Sequence, residues 1–314
     1  MAVATGARAR KSTEPKREGV FSRLKGDFAN PERRTAYYMV APVLFLVLLI
    51  GLWPVAYAIY LSFLKILPET AASFVGLQNY IDMFSDPTFR GAVLNTAVFT
   101  VLSVVLEFVF GIGIALALNR GFAGQGSVRA IALVPWAFPT VVSAVMWRLM
   151  YQQQGGIMAY IALKLNLIAG PILASEQATL FAAVIVDVWK TTPFVALLLL
   201  AGLQVIPADT YEAARVDGAN AWQQFSRITL PLLKPAIAVA LLFRTLDAWR
   251  VYDLFWAMSD RTLESLSTYV FKGVRISQVD FSLGDAAAVF IFLTSLVLAF
   301  IFLKGLGTES SGGG

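Results

Sequence analysis

Six apolar stretches, at roughly 37–63, 92–119, 128–150, 178–204, 232–258 and 286–304, constrain this chain more than anything else in it. A helix rises about 1.5 Å per residue, so about 20 apolar residues cross the roughly 30 Å hydrocarbon core of a bilayer. Inside that core every backbone N–H and C=O must be satisfied internally, which leaves helices and closed barrels as spanning structures. Runs this long select helices. The sequence therefore predicts an all-α integral membrane protein with six transmembrane helices. Composition agrees: 58% of the residues are hydrophobic, 14% are charged and the mean hydropathy is +0.69, whereas soluble domains carry about 25% charged residues.

Six spans place both termini on one side. That side holds nine Lys/Arg within residues 1–36, with Arg120, Arg129, Arg215, Arg227, Lys234 and Lys304. The other side has Lys65, Arg90, Lys164, Arg261, Lys272 and Arg275. The positive-inside rule assigns the richer side, and both termini, to the cytoplasm of a multi-pass bacterial membrane protein. The net charge of +5 collects beside the first span, so it points to a lipid surface and not to nucleic acid. Residues 1–36 read as a basic cytoplasmic tail, without the short apolar core and cleavage site of a signal peptide. Phe21, Leu24 and Phe28 would let 20–30 lie along the headgroups. Residues 37–304 form the membrane domain, with a predicted kink at Trp53-Pro54, and 305–314 read as a flexible tail.

The chain has no Cys and no His. Disulfides, thiolate chemistry, Cys/His zinc sites and His-dependent triads are excluded, and no metal site is expected. There is no G-x-x-x-x-G-K-[ST] sequence, and Gly124-Gln125-Gly126-Ser127 reads as a turn between spans. Any nucleotide chemistry must reside on a partner.

One polar interval carries a motif. Residues 205–231 read VIPADTYEAARVDGANAWQQFSRITLP, with Glu212-Ala213-Ala214, then Asp217-Gly218, then Ile228-x-Leu230-Pro231. Physically this is two short helices with a break. Asp209 or Thr210 is the expected cap of the first, Gly218 permits the backbone angle of the break, and Pro231 suits the first turn of the next long helix. A generic cytosolic helical hairpin would share the helix formers but not this full spacing.

The spacing resembles, position for position, the "EAA" coupling loop of ABC importer permeases. Further stretches are similar to the sugar-importing, maltose-type branch of that family. They are Trp53 to Lys65, Phe74-Val75-Gly76-Leu77-Gln78-Asn79-Tyr80, Leu94-Asn95-Thr96, Leu133-Val134-Pro135-Trp136 and Met146-Trp147-Arg148. The sequence departs from relatives after the fifth span, at Met258 to Ser267, where a Gly-rich turn is commoner. The resemblance implies a type I ABC importer transmembrane domain. Its partners would be a second related permease in a heterodimer, two ATP-binding cassette subunits that hold ATP and Mg, and an extracytoplasmic solute-binding protein. Glu212, Ala213, Ala214, Asp217 and Gly218 would dock the ATPase.

Ionisable residues inside spans are expensive and face protein or water. In the fourth span, Asp187 and Lys190 lie three apart on one helix face, followed by Thr191, Thr192 and Pro193. In the fifth, Arg244, Asp247, Arg250 and Asp253 recur every third residue, so on one continuous helix Arg244 and Asp253 would point nearly opposite ways. Two readings compete. One is internal salt bridges, Asp187 with Lys190 and Asp247 with Arg250 or Arg244. The other is contact with a polar solute, favoured because buried pairs stabilise weakly. The resemblance implies that solute contacts come from Asp187, Lys190, Thr191, Phe194, Asp247, Arg250 and Asp253. Trp189, Phe194 or Trp249 would offer an apolar face to a sugar ring, although Trp189 and Trp249, each taken alone, are rather expected to face lipid or to pack. Glu107, alone in the second span, is expected to find a partner on another helix, and Arg148, near the outer end of the third, is expected to snorkel.

The resulting expectation is the membrane subunit of a binding-protein-dependent carbohydrate importer, not itself an enzyme. A di- or oligosaccharide fits, with trehalose foremost and glycerol-3-phosphate the rival solute. A proton-coupled secondary transporter using Asp187 and Asp247 has no use for an ATPase dock. An intramembrane enzyme is disfavoured because each acid has a basic neighbour that keeps it ionised.

Overall fold

The computed structural model describes residues 31–66, 71–167, 170–259, 262–276 and 281–307. The predicted tail before Pro31, the end of the predicted C-terminal tail from Thr308, and Asp260-Arg261 of the outer loop lie outside them. The chain divides after Tyr57 into two units. The first is the greater part of helix α1 (Pro31–Ser62), which continues through Pro42 and Pro54. Its side chains, including Val43, Phe45, Ile50 and Trp53, are exposed around the helix. Such an all-round apolar surface suits lipid or a partner helix.

The second unit begins with a small hairpin, β1 (Leu64–Lys65) and β2 (Ser73–Phe74), paired antiparallel with Leu64 opposite Phe74. The buried Asn79 amide pins it by donating to the Ser62 and Leu64 carbonyls at 2.8 and 2.9 Å. Helix α2 (Gln78–Ser85) follows, then the long α3 (Pro87–Leu118). Asp86 starts α3 by accepting from the Thr88 N–H at 2.8 Å, with Pro87 in the first turn where its missing N–H costs nothing.

The third apolar segment differs from expectation. It is not one helix but three, α4 (Gln125–Ala132), α5 (Val134–Ala137) and α6 (Thr140–Tyr151). Pro135 and Pro139 account for this, since each removes an N–H, and Phe138 before Pro139 is extended. Gly124 supplies a φ of +80° just before α4, and the turn closes from Phe122 to Gln125, two residues earlier than read, with Gln125 to Ser127 already helical.

After α7 (Ile157–Lys164), helix α8 (Glu176–Gln204) is capped by Ser175, whose hydroxyl accepts from the Ala178 N–H at 3.2 Å. It runs unbroken through Pro193. The coupling-type loop contains α9 (Ala208–Val216) and α10 (Ala221–Gln224). One π-helical turn, Phe225–Thr229, then leads into α11 (Leu230–Trp249). The helical run therefore starts at Ala221, ten residues before Pro231, and the wide π turn admits the ring of Pro231 without ending the helix. It also stops early. Backbone geometry changes at Arg250, and α12 (Asp253–Met258) is a separate helix, so Asp253 does not continue the three-residue series. Ser265 Oγ donates to the Val251 carbonyl freed by this break, at 2.6 Å. Helix α13 (Leu266–Phe271), a π turn at Lys272–Ile276 and α14 (Phe281–Gly307) complete the described chain.

Among the described residues five helices are long and apolar enough to cross a membrane: α1, α3, α8, the run Ala221–Trp249, and α14. The core forms where α3, α8 and α11 meet. At Gly111 a Cβ would stand 2.8 Å from Val195 Cγ1, and at Gly202 a Cβ would stand 2.5 Å from that of Ala236. Only glycine lets these backbones approach so closely. Phe99 and Phe255 meet edge to face at 5.0 Å in a second buried cluster, to which α3, α6, α8 and α12 contribute.

Candidate functional site

The break after Trp249 opens a polar cleft of about 330 Å³ within the helical bundle. Asp187, Lys190 and Thr191 reach it from α8, Asp247 from α11, and Arg250, Tyr252 and Asp253 from the break and the start of α12. Thr140, the first residue of α6, closes another side. Six of the seven sequence-predicted solute residues thus share one cavity. The seventh, Phe194, is not among its lining and stacks on Trp136, with centroids 5.5 Å apart and planes at 14°. Trp189 and Trp249 are packing residues: Trp189 meets Trp147 edge to face at 5.5 Å, and Trp249 Nε1 donates to Thr294 Oγ1 at 2.9 Å.

Of the expected ion pairs, Asp247 with Arg244 forms and Asp187 with Lys190 does not. Asp187 Oδ2 instead accepts from Arg244 at 2.9 Å. The same guanidinium reaches across to α3, where Nε and NH2 donate to the two oxygens of Glu107 at 2.5 and 2.7 Å. Glu107 finds the interhelical partner that its isolated charge required. Arg244 is 3% exposed and Glu107 fully buried, so this fork is an internal clamp. Among the described residues Lys190 and Arg250 form no ion pair, although Arg250 Nε donates to the Leu246 carbonyl at 3.2 Å. The cleft wall therefore presents two cationic groups and the exposed carboxylates of Asp247 and Asp253. These groups give directed hydrogen bonds to hydroxyls.

Thr140 and Tyr252 escaped the sequence reading. Neither is charged, so neither signals cost inside a span, and both reach the cleft only because helices break at Pro139 and Arg250. The breaks are the signal that could have found them.

The second site is the loop between α8 and α11. Helix α9 begins at Ala208 with Pro207 before it, and neither Asp209 nor Thr210 is its cap. Its end is as read: Gly218 has φ +80°, its N–H donates to the Arg215 carbonyl at 3.1 Å, and the Ala219 N–H donates to the Ala214 carbonyl at 2.9 Å. This double bond to the last turn is a Schellman motif. Tyr211 Oη and Thr229 Oγ1, 3.0 Å apart, tie α9 to the π turn. Ala213, Asp217 and Gly218 are exposed, and Glu212 meets Arg215 at 3.8 Å in solvent, but Ala214 turns inward and is buried. Val216 and Trp222, 88% and 72% exposed, stand out as apolar side chains on a polar loop and were missed. The hydrophobicity of Val216 between Arg215 and Asp217, and of Trp222 within a polar loop, was the available cue.

No cluster of metal-ligating side chains occurs among the described residues.

Comparison with known proteins gives the family and the fold. Residues 108–307 match the family model described as binding-protein-dependent transport system inner membrane component. The "Trehalose/maltose transport system permease protein MalF" of Thermococcus litoralis is 40% identical over 87% of this chain and 94% of its own length. The "Trehalose transport system permease protein SugA" of Mycobacterium tuberculosis is 38% identical over 94% and 95%. In fold, the chain is similar to one in the crystal structure of a bacterial ABC transporter involved in the import of the acidic polysaccharide alginate. The TM-score is 0.74 at 23% identity, covering 91% of this chain and 99% of that one. On the family match and these long alignments, the chain belongs to the inner membrane components of binding-protein-dependent transport systems, a multi-pass permease subunit.

Proposed function

We propose that this chain is the transmembrane subunit of an ATP-driven, binding-protein-dependent importer of a neutral di- or oligosaccharide, with trehalose the foremost candidate. One observation carries the reading: charged and hydroxyl side chains from α8, α11 and α12 converge on one cleft inside membrane-spanning helices. Ionisable groups at that depth mark a solute path. The relatives named for trehalose and maltose support the solute class.

In this proposal the chain crosses the membrane six times, with the broken segment α4 to α6 as the sixth crossing and both termini cytoplasmic, in a type I importer arrangement. A second, related permease covers the open side of the cleft. Two ATP-binding cassette subunits, which hold ATP and Mg, dock against Glu212, Ala213, Asp217, Gly218 and the exposed Val216 and Trp222. Ala214 supports this dock from beneath. An extracytoplasmic binding protein delivers the solute. Asp187, Thr191, Asp247 and Asp253 hydrogen-bond its hydroxyls, and Lys190 and Arg250 donate to them.

Solute-stimulated ATP hydrolysis by the assembled complex, with its binding protein, across trehalose, maltose and glycerol-3-phosphate tests this. Stimulation by a disaccharide is expected. Stimulation by glycerol-3-phosphate alone would overturn the solute class, a rival favoured only by the unpaired Lys190 and Arg250. Uptake that survives vanadate but not a protonophore would replace the ATP-driven mechanism by proton coupling.

A further inference from the structure

Glu107 does not itself line the cleft, yet its burial needs a reason. It is fully buried on α3, and its carboxylate is spent within the protein. Arg244 approaches side-on, Nε to Oε2 at 2.5 Å and NH2 to Oε1 at 2.7 Å, the planar fork that a lysine cannot reproduce. That fork fixes the guanidinium plane. The same plane then holds Asp187 of α8 through NH2 at 2.9 Å and Asp247 of α11 through NH1. A second tie runs from the Thr191 hydroxyl to Glu107 Oε1, and that hydroxyl also reaches the Asp187 carbonyl at 2.5 Å. Every polar group that Glu107 orders, other than Arg244 itself, lines the cleft.

Arg244 is 3% exposed and its donors face three carboxylates, so it is not offered to a solute. It acts as a rigid spacer between α3, α8 and α11. We infer that Glu107 is a positioning residue for solute selection: through Arg244 and Thr191 it sets the spacing and direction of Asp187, Thr191 and Asp247 in the cleft. This rests on the cleft being the solute path. An ordinary structural salt bridge would hold the helices together equally well for any solute. A positioning residue changes which hydroxyl pattern is accepted.

The experiment separates these. In a binding-protein-dependent importer the half-saturation reflects the binding protein, so the informative quantity is the ratio of maximal uptake rates for trehalose and maltose, each at saturation. Glu107→Asp keeps the charge but shortens the arm, and Glu107→Gln keeps the shape but loses the charge. Glu107→Gln leaves Arg244 paired with Asp187 and Asp247, so it strands no buried ion and guards against loss of assembly, while the paired variant Glu107→Gln/Arg244→Gln removes the whole fork. Assembly is read by co-purification of the partner subunits. The expected result is a change of about fivefold or more in the ratio, the scale of one displaced hydrogen bond, in every variant that assembles. A structural role scales both rates equally, so an unchanged ratio in the assembled variants overturns the inference. Failure of all three to assemble also overturns it, because the clamp is then structural. If the unaltered complex takes up neither sugar, the solute reading fails instead.

Discussion

Gly202→Ala is the most informative single-atom perturbation of this fold. The added Cβ would stand 2.5 Å from Ala236 Cβ and 2.8 Å from Leu233 Cδ1. Carbon atoms pack at about 3.5–4.0 Å, so α8 and α11 must part by about 1 Å. Leu233 relieves its contact by rotating. Ala236 cannot, because its Cβ is fixed to the backbone. Overpacking of this kind costs about 1–3 kcal/mol, and the rigid neighbour places it near the top of that range. Alanine returns about 1 kcal/mol through better helix propensity, which leaves about 2 kcal/mol of net destabilisation. The reciprocal swap, Gly202→Ala with Ala236→Gly, exchanges the methyl across the interface and cancels both terms. Ala236→Gly alone costs about 1 kcal/mol. The cycle therefore carries a coupling of about 3 kcal/mol. Thermal unfolding of the purified, assembled complex measures it, at roughly 2–4 °C per kcal/mol for a unit of this size. The single Gly202→Ala variant should melt roughly 4–8 °C lower and the double variant close to wild type. A double variant no more stable than Gly202→Ala would refute the close-contact argument.

Three further outcomes follow from the sites. Arg250→Lys keeps the charge but loses the planar donor fork, so it should assemble normally and lower maximal sugar uptake by about tenfold. Unchanged transport kinetics would remove Arg250 from the solute wall. Gly218→Val meets no side chain, since nothing lies within 4 Å of its added Cβ, but it forces a β-branched residue to φ +80° at a cost of about 1–2 kcal/mol. It should uncouple ATP hydrolysis from uptake, with Gly218→Asn milder because Asn tolerates that region; full solute-stimulated hydrolysis in the valine variant would count against a coupling role. Phe194→Leu should lower the melting temperature of the complex through the lost stack on Trp136, with little effect on the ratio of trehalose to maltose uptake. A changed ratio at normal stability would return Phe194 to the solute wall.

The sequence alone determined the class of fold, because apolar runs longer than a bilayer is thick leave a helix no alternative. It also determined the elbow of the coupling-type loop. Gly218 is the residue whose positive φ a Schellman motif needs, and that requirement is local. The five charged cleft residues, Asp187, Lys190, Asp247, Arg250 and Asp253, were legible for a related reason: a charge inside a span is costly wherever the helix packs, so its presence alone marks it.

What the sequence left open was partnership. Asp187 and Lys190 are neighbours on one helix, yet Asp187 pairs with Arg244, 57 residues away, because the close packing of α8 on α3 and α11 brings that guanidinium between them. Glu107 could be given a partner in kind but not in name, since its fork spans 137 residues. Helical phase misplaced Asp253 for the same reason. Phase assumes one continuous helix, and the helix ends at Trp249, where Ser265 from the loop after α12 takes the Val251 carbonyl. Periodicity, spacing and charge cost act within a few residues and can be read from the chain. Which helix faces which, and where a helix yields to a distant hydroxyl, depends on contacts between residues far apart in sequence, and only the tertiary structure decides them.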